Sequence, residues 1–266
     1  MYQTTYHRPS SVDEAVALFG KSSEAKFLAG GQTLLPVMKQ RLASPSDVID
    51  LGKIKELHGV ELSGDVLTIK AGTTYFDIMQ NADVKKAIPA IAYLTSVLGD
   101  PAVRYRGTIG GSIANNDPAA DYPAALLALG ATVKTNKRSI AGDDFFKGLF
   151  STALEDGEII TAVSFPVPEK AAYAKFRHPA SRFALTGVLV AKTKSGDVRV
   201  AATGASQNGV MRVAAIEQAL KANWSAGALD SVQVSANGLM ADIHGSAAYR
   251  ANLIKVMAQR AVAAAG

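Results

Sequence analysis

Two glycine pairs are set among hydroxyl and amide side chains: Ala29-Gly30-Gly31-Gln32-Thr33, and Thr108-Ile109-Gly110-Gly111-Ser112 within the longer run from Gly107 to Asp121. Adjacent glycines let successive backbone N–H groups turn to one side of a loop with no Cβ in the way, which makes an anion-binding concavity. Thr108 and Ser112 add hydroxyls to the rim of the second loop, and Asp121 ends it with a carboxylate. The chemistry expected is the holding of a phosphorylated ligand, two such loops gripping one diphosphate. Taken alone, Gly30-Gly31 is more often a plain turn than a ligand site, and Asp121, which precedes a helix, suits a cap, a role compatible with ligand binding.

Several other chemistries are excluded. The chain has no cysteine, which removes disulfides, thiolate nucleophiles, cysteine-ligated zinc and any iron–sulfur cluster bound by this chain. His7, His58, His178 and His244 contain no i,i+4 pair of the kind that builds a helical metal site, so no metal is expected. His178 precedes Pro179 and reads as a turn residue. Neither G-x-G-x-x-G nor G-x-x-x-x-G-K-S/T occurs. The net charge of +5 is uneven, with 16 basic and 18 acidic residues up to position 166 against 12 and 5 beyond it. That basicity is spread out with few aromatics, so no nucleic-acid partner is expected; solubility, an acidic partner face or neutralisation of bound phosphates remain. No apolar run is long enough to span a bilayer, and Met1 to Pro9 has no basic segment leading into an apolar one, so a cytoplasmic site is expected.

The elements that must position the loops follow from periodicity. Ser11 and Glu14 form a capping box that opens a helix from Val12 to Phe19. Ala25 to Ala29 reads as a strand, Gly30-Gly31 as a turn, Leu34 to Leu42 as a helix and Val48 to Leu51 as a strand, together a small βαβ unit in which phosphates meet the strand-to-helix turn. From Gly59 the period becomes two, with a hairpin turning at Gly64-Asp65. Thr74 with Asp77 caps a helix through Asn81, Lys85 to Leu98 reads as one core helix despite Pro89, and Tyr122 to Leu129 as another, ended by Gly130. Ala131 to Thr135 and Glu158 to Phe165 read as strands, and Pro166 and Pro168 close this part. Ala172 to Arg177, Ala184 to Lys192 and Asp197 to Thr203 read as an antiparallel sheet, followed by helices over 213–221 and 248–265. The fold class is α+β (mixed α/β) in three lobes, 1–57, 58–168 and 169–266.

These residues resemble a known family along nearly the full length: the flavin-binding medium subunit of molybdenum hydroxylases, especially the aerobic carbon monoxide dehydrogenase branch. The resemblance lies in Ala29-Gly-Gly-Gln-Thr33 with Leu34 to Leu42 behind it, Arg104-Tyr-Arg-Gly-Thr-Ile-Gly-Gly-Ser112, Asp117-Pro-Ala-Ala-Asp121, Gly157-Glu-Ile-Ile160 and Phe176-Arg-His-Pro-Ala-Ser-Arg-Phe183. It implies FAD extended between the first two lobes, which form a two-lobed binding region, followed by a C-terminal sheet with a helical bundle. Ala29, Gly30, Gly31, Gln32 and Thr33 with Thr108, Ile109, Gly110, Gly111 and Ser112 would hold the diphosphate and ribityl region, and Asp121 would accept from sugar or ribityl hydroxyls. Ile160 would pack on the flavin. Arg177 stands where the family often has a lysine near the ring, and Phe183 where the carbon monoxide dehydrogenase branch can place a tyrosine, so that stacking survives and the hydroxyl is lost.

The resemblance further implies an oxidoreductase complex. A large subunit would carry the molybdopterin-type molybdenum cofactor, a small subunit two [2Fe–2S] clusters, and the whole would be a dimer of heterotrimers. No catalytic residue is assigned to this chain. The alternatives are a self-contained flavoprotein oxidoreductase, against which no acid–base pair stands beside the flavin motifs, and a flavin-free scaffold subunit, against which the intact glycines, Thr108, Ser112 and Asp121 argue.

Overall fold

The computed structural model describes residues 1–266. Strand β1 (Thr5–His7) leads into helix α1 (Val12–Phe19). The Ser11 hydroxyl accepts from Glu14 N at 3.2 Å, as a cap should. The Glu14 carboxylate reaches one residue further back than a capping box requires, accepting from Ser10 N at 2.7 Å and Ser10 Oγ at 2.9 Å. Then come β2 (Ala25–Leu28), α2 (Leu34–Lys39) and β3 (Asp47–Asp50). β1 and β2 both pair with β3 in parallel, giving a three-stranded sheet in the order β1-β3-β2. The expected βαβ unit is present, with an additional parallel strand at its edge. Its helix stops at Lys39, short of Leu42, because the chain turns there, with Arg41 at φ 60°.

The second sheet begins with the hairpin β4 (Val60–Ser63) and β5 (Val66–Lys70). Four short helices follow, α3 (Tyr75–Gln80), α4 (Ala82–Ala87), α5 (Pro89–Ser96) and α6 (Pro101–Arg104). The single helix expected over 85–98 is therefore two. Pro89 has no N–H to donate and forces Ile88 out of the helical region, to φ −140° and ψ 76°, so it starts a helix and cannot continue one. Next come α7 (Ile109–Asn115), α8 (Tyr122–Ala128), β6 (Thr132–Thr135), β7 (Ser139–Ala141), α9 (Gly142–Phe145), the small hairpin β8 (Phe146–Gly148) and β9 (Ser151–Thr152), and β10 (Ile160–Pro166). The sheet order is β4-β5-β10-β6-β7, antiparallel throughout.

The third sheet is an antiparallel meander of β11 (Lys170–Arg177), β12 (Ala184–Lys192), β13 (Val198–Ser206) and β14 (Gly209–Arg212). Helices α10 (Ala214–Ala222) and α11 (Ala247–Ala265) cover one of its faces through a core that includes Val188, Val200, Ile216, Ile254 and Met257. Its other face joins the largest core, where Tyr173, Leu189 and Ala201 pack with Leu126, Ile113 and Val163 of the middle region. Alternate residues of β12 thus serve two cores, which is why this strand is apolar throughout. The fold is α+β, as the periodicity implied. No helix is long and apolar enough to cross a membrane.

Candidate functional site

The first glycine loop lies between β2 and α2. Gly31 has φ +73°, a left-handed conformation that glycine adopts without steric cost. Gly30 lies against the backbone of the second loop: a Cβ at this position would stand 2.1 Å from Arg106 O and 2.8 Å from Gly107 Cα. The two glycine segments, some 80 residues apart in sequence, therefore touch. None of the five backbone N–H groups from Ala29 to Thr33 donates to the protein's own backbone or side chains. Thr33 also caps α2 without a side-chain hydrogen bond. Five consecutive open donors on a solvent-accessible turn suit an anion such as a diphosphate.

The second glycine segment differs from the free loop expected. It forms the first turn of α7, capped by Thr108 Oγ1, which accepts from Gly111 N at 3.1 Å. Gly110 N donates to Ala71 O at 2.9 Å, Ile109 N to Thr73 O at 3.4 Å and Ser112 N to Thr108 O at 3.0 Å. These amides serve the protein's own hydrogen bonding, and the glycines serve packing. A Cβ on Gly110 would lie 2.6 Å from Ala71 Cβ, whereas one on Gly111 would lie 3.0 Å from the Thr108 hydroxyl and 3.6 Å from Ala29 Cβ, at the junction of the two loops. Burial pushes the Tyr75 phenol up to about 12, with the nearby Ser112 side chain opposing the shift. The Tyr75 ring packs on Tyr122 at 5.5 Å between centroids.

Asp121 is 1% exposed and opens α8 without a side-chain capping bond. Tyr173 Oη donates to its Oδ1 at 2.5 Å, and Lys175 Nζ bridges both oxygens at 3.0 and 3.1 Å. The Lys175 side chain is 3% exposed, so this is a buried ion pair. Burial pushes the Asp121 carboxyl upward, opposed by the Lys175 charge and the Tyr173 hydrogen bond. The Tyr173 phenol is also driven well up by burial and by the neighbouring carboxylate. Tyr173, Lys175 and Arg177 alternate along β11 and so share one face. Arg177 contributes a further positive potential at Asp121 but is itself exposed.

The segment leading to Asp121 is fixed from three sides. Ala119 N donates to Asp117 Oδ1 at 2.8 Å. Thr203 Oγ1 donates to Pro118 O at 3.0 Å and to Ala120 O at 2.6 Å. Gly204 N donates to Pro118 O at 2.8 Å. Asn116 sits in the left-handed region and spends both Nδ2 hydrogens on Gly148 O and Ser151 O, at 2.7 and 2.8 Å.

Ile160 begins β10 and is buried in the main core. Two residues earlier, Glu158 accepts from Arg138 Nε and Nη2, Thr135 Oγ1 and Glu155 N. The Arg138 hydrogen bond is the main reason its carboxyl is held at about 2. This fixes the start of β10, and Ile160 with it. Phe183 is 53% exposed in the loop joining β11 to β12. Arg104, which opens the resemblance motif running to Ser112, donates to Leu98 O at 2.7 Å and closes its own turn. The structure thus joins the two glycine segments directly and Asp121 to β11. Sequence reading missed Tyr173 and Lys175; the available signal was the period-two alternation that puts them on Arg177's face of the strand.

Comparison with known proteins agrees with this geometry. Residues 2–168 match the family described as "FAD binding domain in molybdopterin dehydrogenase". The chain is 34% identical to the carbon monoxide dehydrogenase medium chain of Hydrogenophaga pseudoflava, over 98% of this chain and 96% of that one. It is 35% identical to the nicotine 6-hydroxylase medium subunit of Paenarthrobacter nicotinovorans, with the same coverages. Among solved structures, a chain of the cyanide-inactivated Cu,Mo-CO dehydrogenase superposes with a TM-score of 0.90 at 32% identity, covering 100% of this chain and 98% of that chain. The chain belongs to the FAD-binding medium subunits of the molybdenum hydroxylase family and is an oxidoreductase subunit that binds FAD.

Proposed function

We propose that this chain is the electron-transfer subunit of a cytoplasmic molybdenum-containing dehydrogenase, taking electrons from [2Fe–2S] clusters of a small partner subunit and passing them to an external acceptor. A large molybdopterin subunit would perform the substrate chemistry, and the assembly would be a dimer of heterotrimers. FAD, when bound, supplies the ability to take electrons singly and release them in pairs. The lobes of this reading are 1–57, 58–168 and 169–266.

The observation that carries the proposal is the run of open backbone donors from Ala29 to Thr33 set against Gly107 and Gly111. The donors suit the diphosphate, with Gln32 and Thr33 adding polar side chains at the exposed rim. Thr108 and Ser112 order the first turn of α7, and Ile109 and Gly110 seat that turn on the middle sheet through Thr73 and Ala71. Asp121 gives both oxygens to Tyr173 and Lys175, so its contribution is to hold the face of β11 in place and keep a buried cation there. Arg177, further along the same face, offers an exposed cation suited to an electron-rich ring, and Phe183 an exposed ring suited to stacking. The buried Ile160 contributes apolar support.

The test is the flavin content of the purified complex or chain. Stoichiometric FAD, or a flavin spectrum that develops on titration of flavin-free protein with FAD, is the expected outcome. Protein that takes up no FAD rejects the reading.

A further inference from the structure

The loop between β11 and β12 is built around one imidazole. His178 N donates to Phe183 O at 2.8 Å and Arg182 N to His178 O at 2.9 Å, so the loop closes on itself. Inside it, His178 Nδ1 accepts from Ala180 N and Ser181 N, both at 3.2 Å. A ring nitrogen that accepts two N–H groups carries no proton, so the proton of a neutral His178 is on Nε2. That Nε2 lies 3.1 Å from His244 Nδ1, the rings meeting edge to face at 4.3 Å between centroids. His178 is therefore the donor, and His244 accepts at Nδ1 with its own proton on Nε2.

His244 is itself held in place. Asp242 Oδ1 accepts from His244 N at 2.9 Å and Gly245 N at 3.1 Å, while Asp242 Oδ2 accepts from Arg250 Nη2 at 2.7 Å. Arg250 is buried on α11, and its Nη1 donates to Leu185 O at 2.8 Å and Gly204 O at 2.7 Å. A line of contacts thus runs from Arg250 on the helix through Asp242 and the backbone of His244 to the His244 ring, His178 and the 178–183 loop.

We propose that His178 and His244 are positioning residues: as a neutral pair they latch the 178–183 loop, and Phe183 with it, to the turn at Asp242–Gly245, and the latch opens when the pair takes up a proton. Protonating His178 sets an N–H against those of Ala180 and Ser181; protonating His244 sets an N–H against His178 Nε2–H. The contact is complete while both rings are neutral and is lost once either takes up a proton. The charged and titratable groups around the pair are Arg177 and Arg182 from the loop side, Asp242 in the turn, and Tyr249 and Arg250 from α11. Asp242 is held below the usual carboxylate range by its hydrogen bonds from His244 N and Arg250, so it stays ionised throughout. The proposal rests on the flavin reading only in giving Phe183 a place beside the ring system.

Long-range 1H–15N spectra of the full chain at pH 7.5, with and without FAD, are expected to show both rings neutral and protonated on Nε2. Lowering the pH to 5 is expected to reduce the protection factors of the Ala180 and Ser181 amides roughly tenfold, the scale of losing two modest hydrogen bonds. His178→Asn retains an acceptor for those two amides but has no ring to titrate, so its protection is expected to stay level across the same range. A proton on His178 Nδ1 at pH 7.5 overturns the proposal. So does native protection that is unchanged at pH 5, or an equal acid-induced loss in His178→Asn. A chain with these tautomers and this pH response that takes up no FAD counts against the flavin reading alone, and one that binds FAD without the response counts against the latch alone.

Discussion

At the scale of single residues, Asp121 shows how a local reading and a tertiary role diverge. A carboxylate at the start of a helix invites a capping role, and a carboxylate beside a glycine run invites a ligand. The structure gives both of its oxygens to Lys175 and Tyr173, on a strand more than 50 residues away. A buried ion pair is costly to break from one side, because the remaining charge keeps its desolvation cost and loses its partner. Lys175→Met is therefore expected to destabilise the protein by about 3–5 kcal/mol. The double variant Lys175→Met/Asp121→Leu, which removes both charges, should recover much of that loss. Urea denaturation of the native chain, the two single variants and the double variant measures the coupling; additive losses would show that the pair contributes no mutual stabilisation.

At the scale of elements, the two glycines of α7 do different work although they are neighbours. Gly110 lets the helix sit directly on Ala71, while Gly111 faces the junction with Ala29. Gly110→Val is expected to force α7 off the middle sheet and cost about 1–3 kcal/mol or more by overpacking. Its effect on FAD would then follow from the damaged packing. Gly111→Val should leave stability closer to native and weaken FAD binding about tenfold or more by intruding between the loops. Thermal unfolding and FAD titration of the two variants separate these effects; equal stability losses would contradict the assignment. A second element-level lesson lies in α4 and α5: apolar spacing continues through 85–98, but the missing N–H of Pro89 divides the run.

At the scale of the whole molecule, the matched family region ends at residue 168, but the core does not. Tyr173, Leu189 and Ala201 from the third sheet pack with Leu126 and Val163 in one cluster. A chain cut after Pro168 would expose that surface and leave Asp121 without Lys175 and Tyr173. It is expected to lack a cooperative thermal transition, with calorimetry as the check; a sharp transition near that of the full chain would show that the first 168 residues are self-sufficient. The same integration explains what was readable in advance. Ser11 and Thr74 as caps, the Gly64-Asp65 hairpin, the βαβ unit and the antiparallel meander rest on interactions within a few residues, or on the period of the apolar pattern, and the linear sequence carries both. The two glycine motifs and the absence of cysteine also stand in the sequence alone, and with them the family. Which glycine segment keeps open amides, which cation neutralises Asp121 and which imidazole His178 meets were decided only by tertiary structure. Those partners are 54 residues apart for Asp121 and Lys175 and 66 for His178 and His244. No local propensity encodes such pairings, because they exist only once separate sheets and helices have packed together.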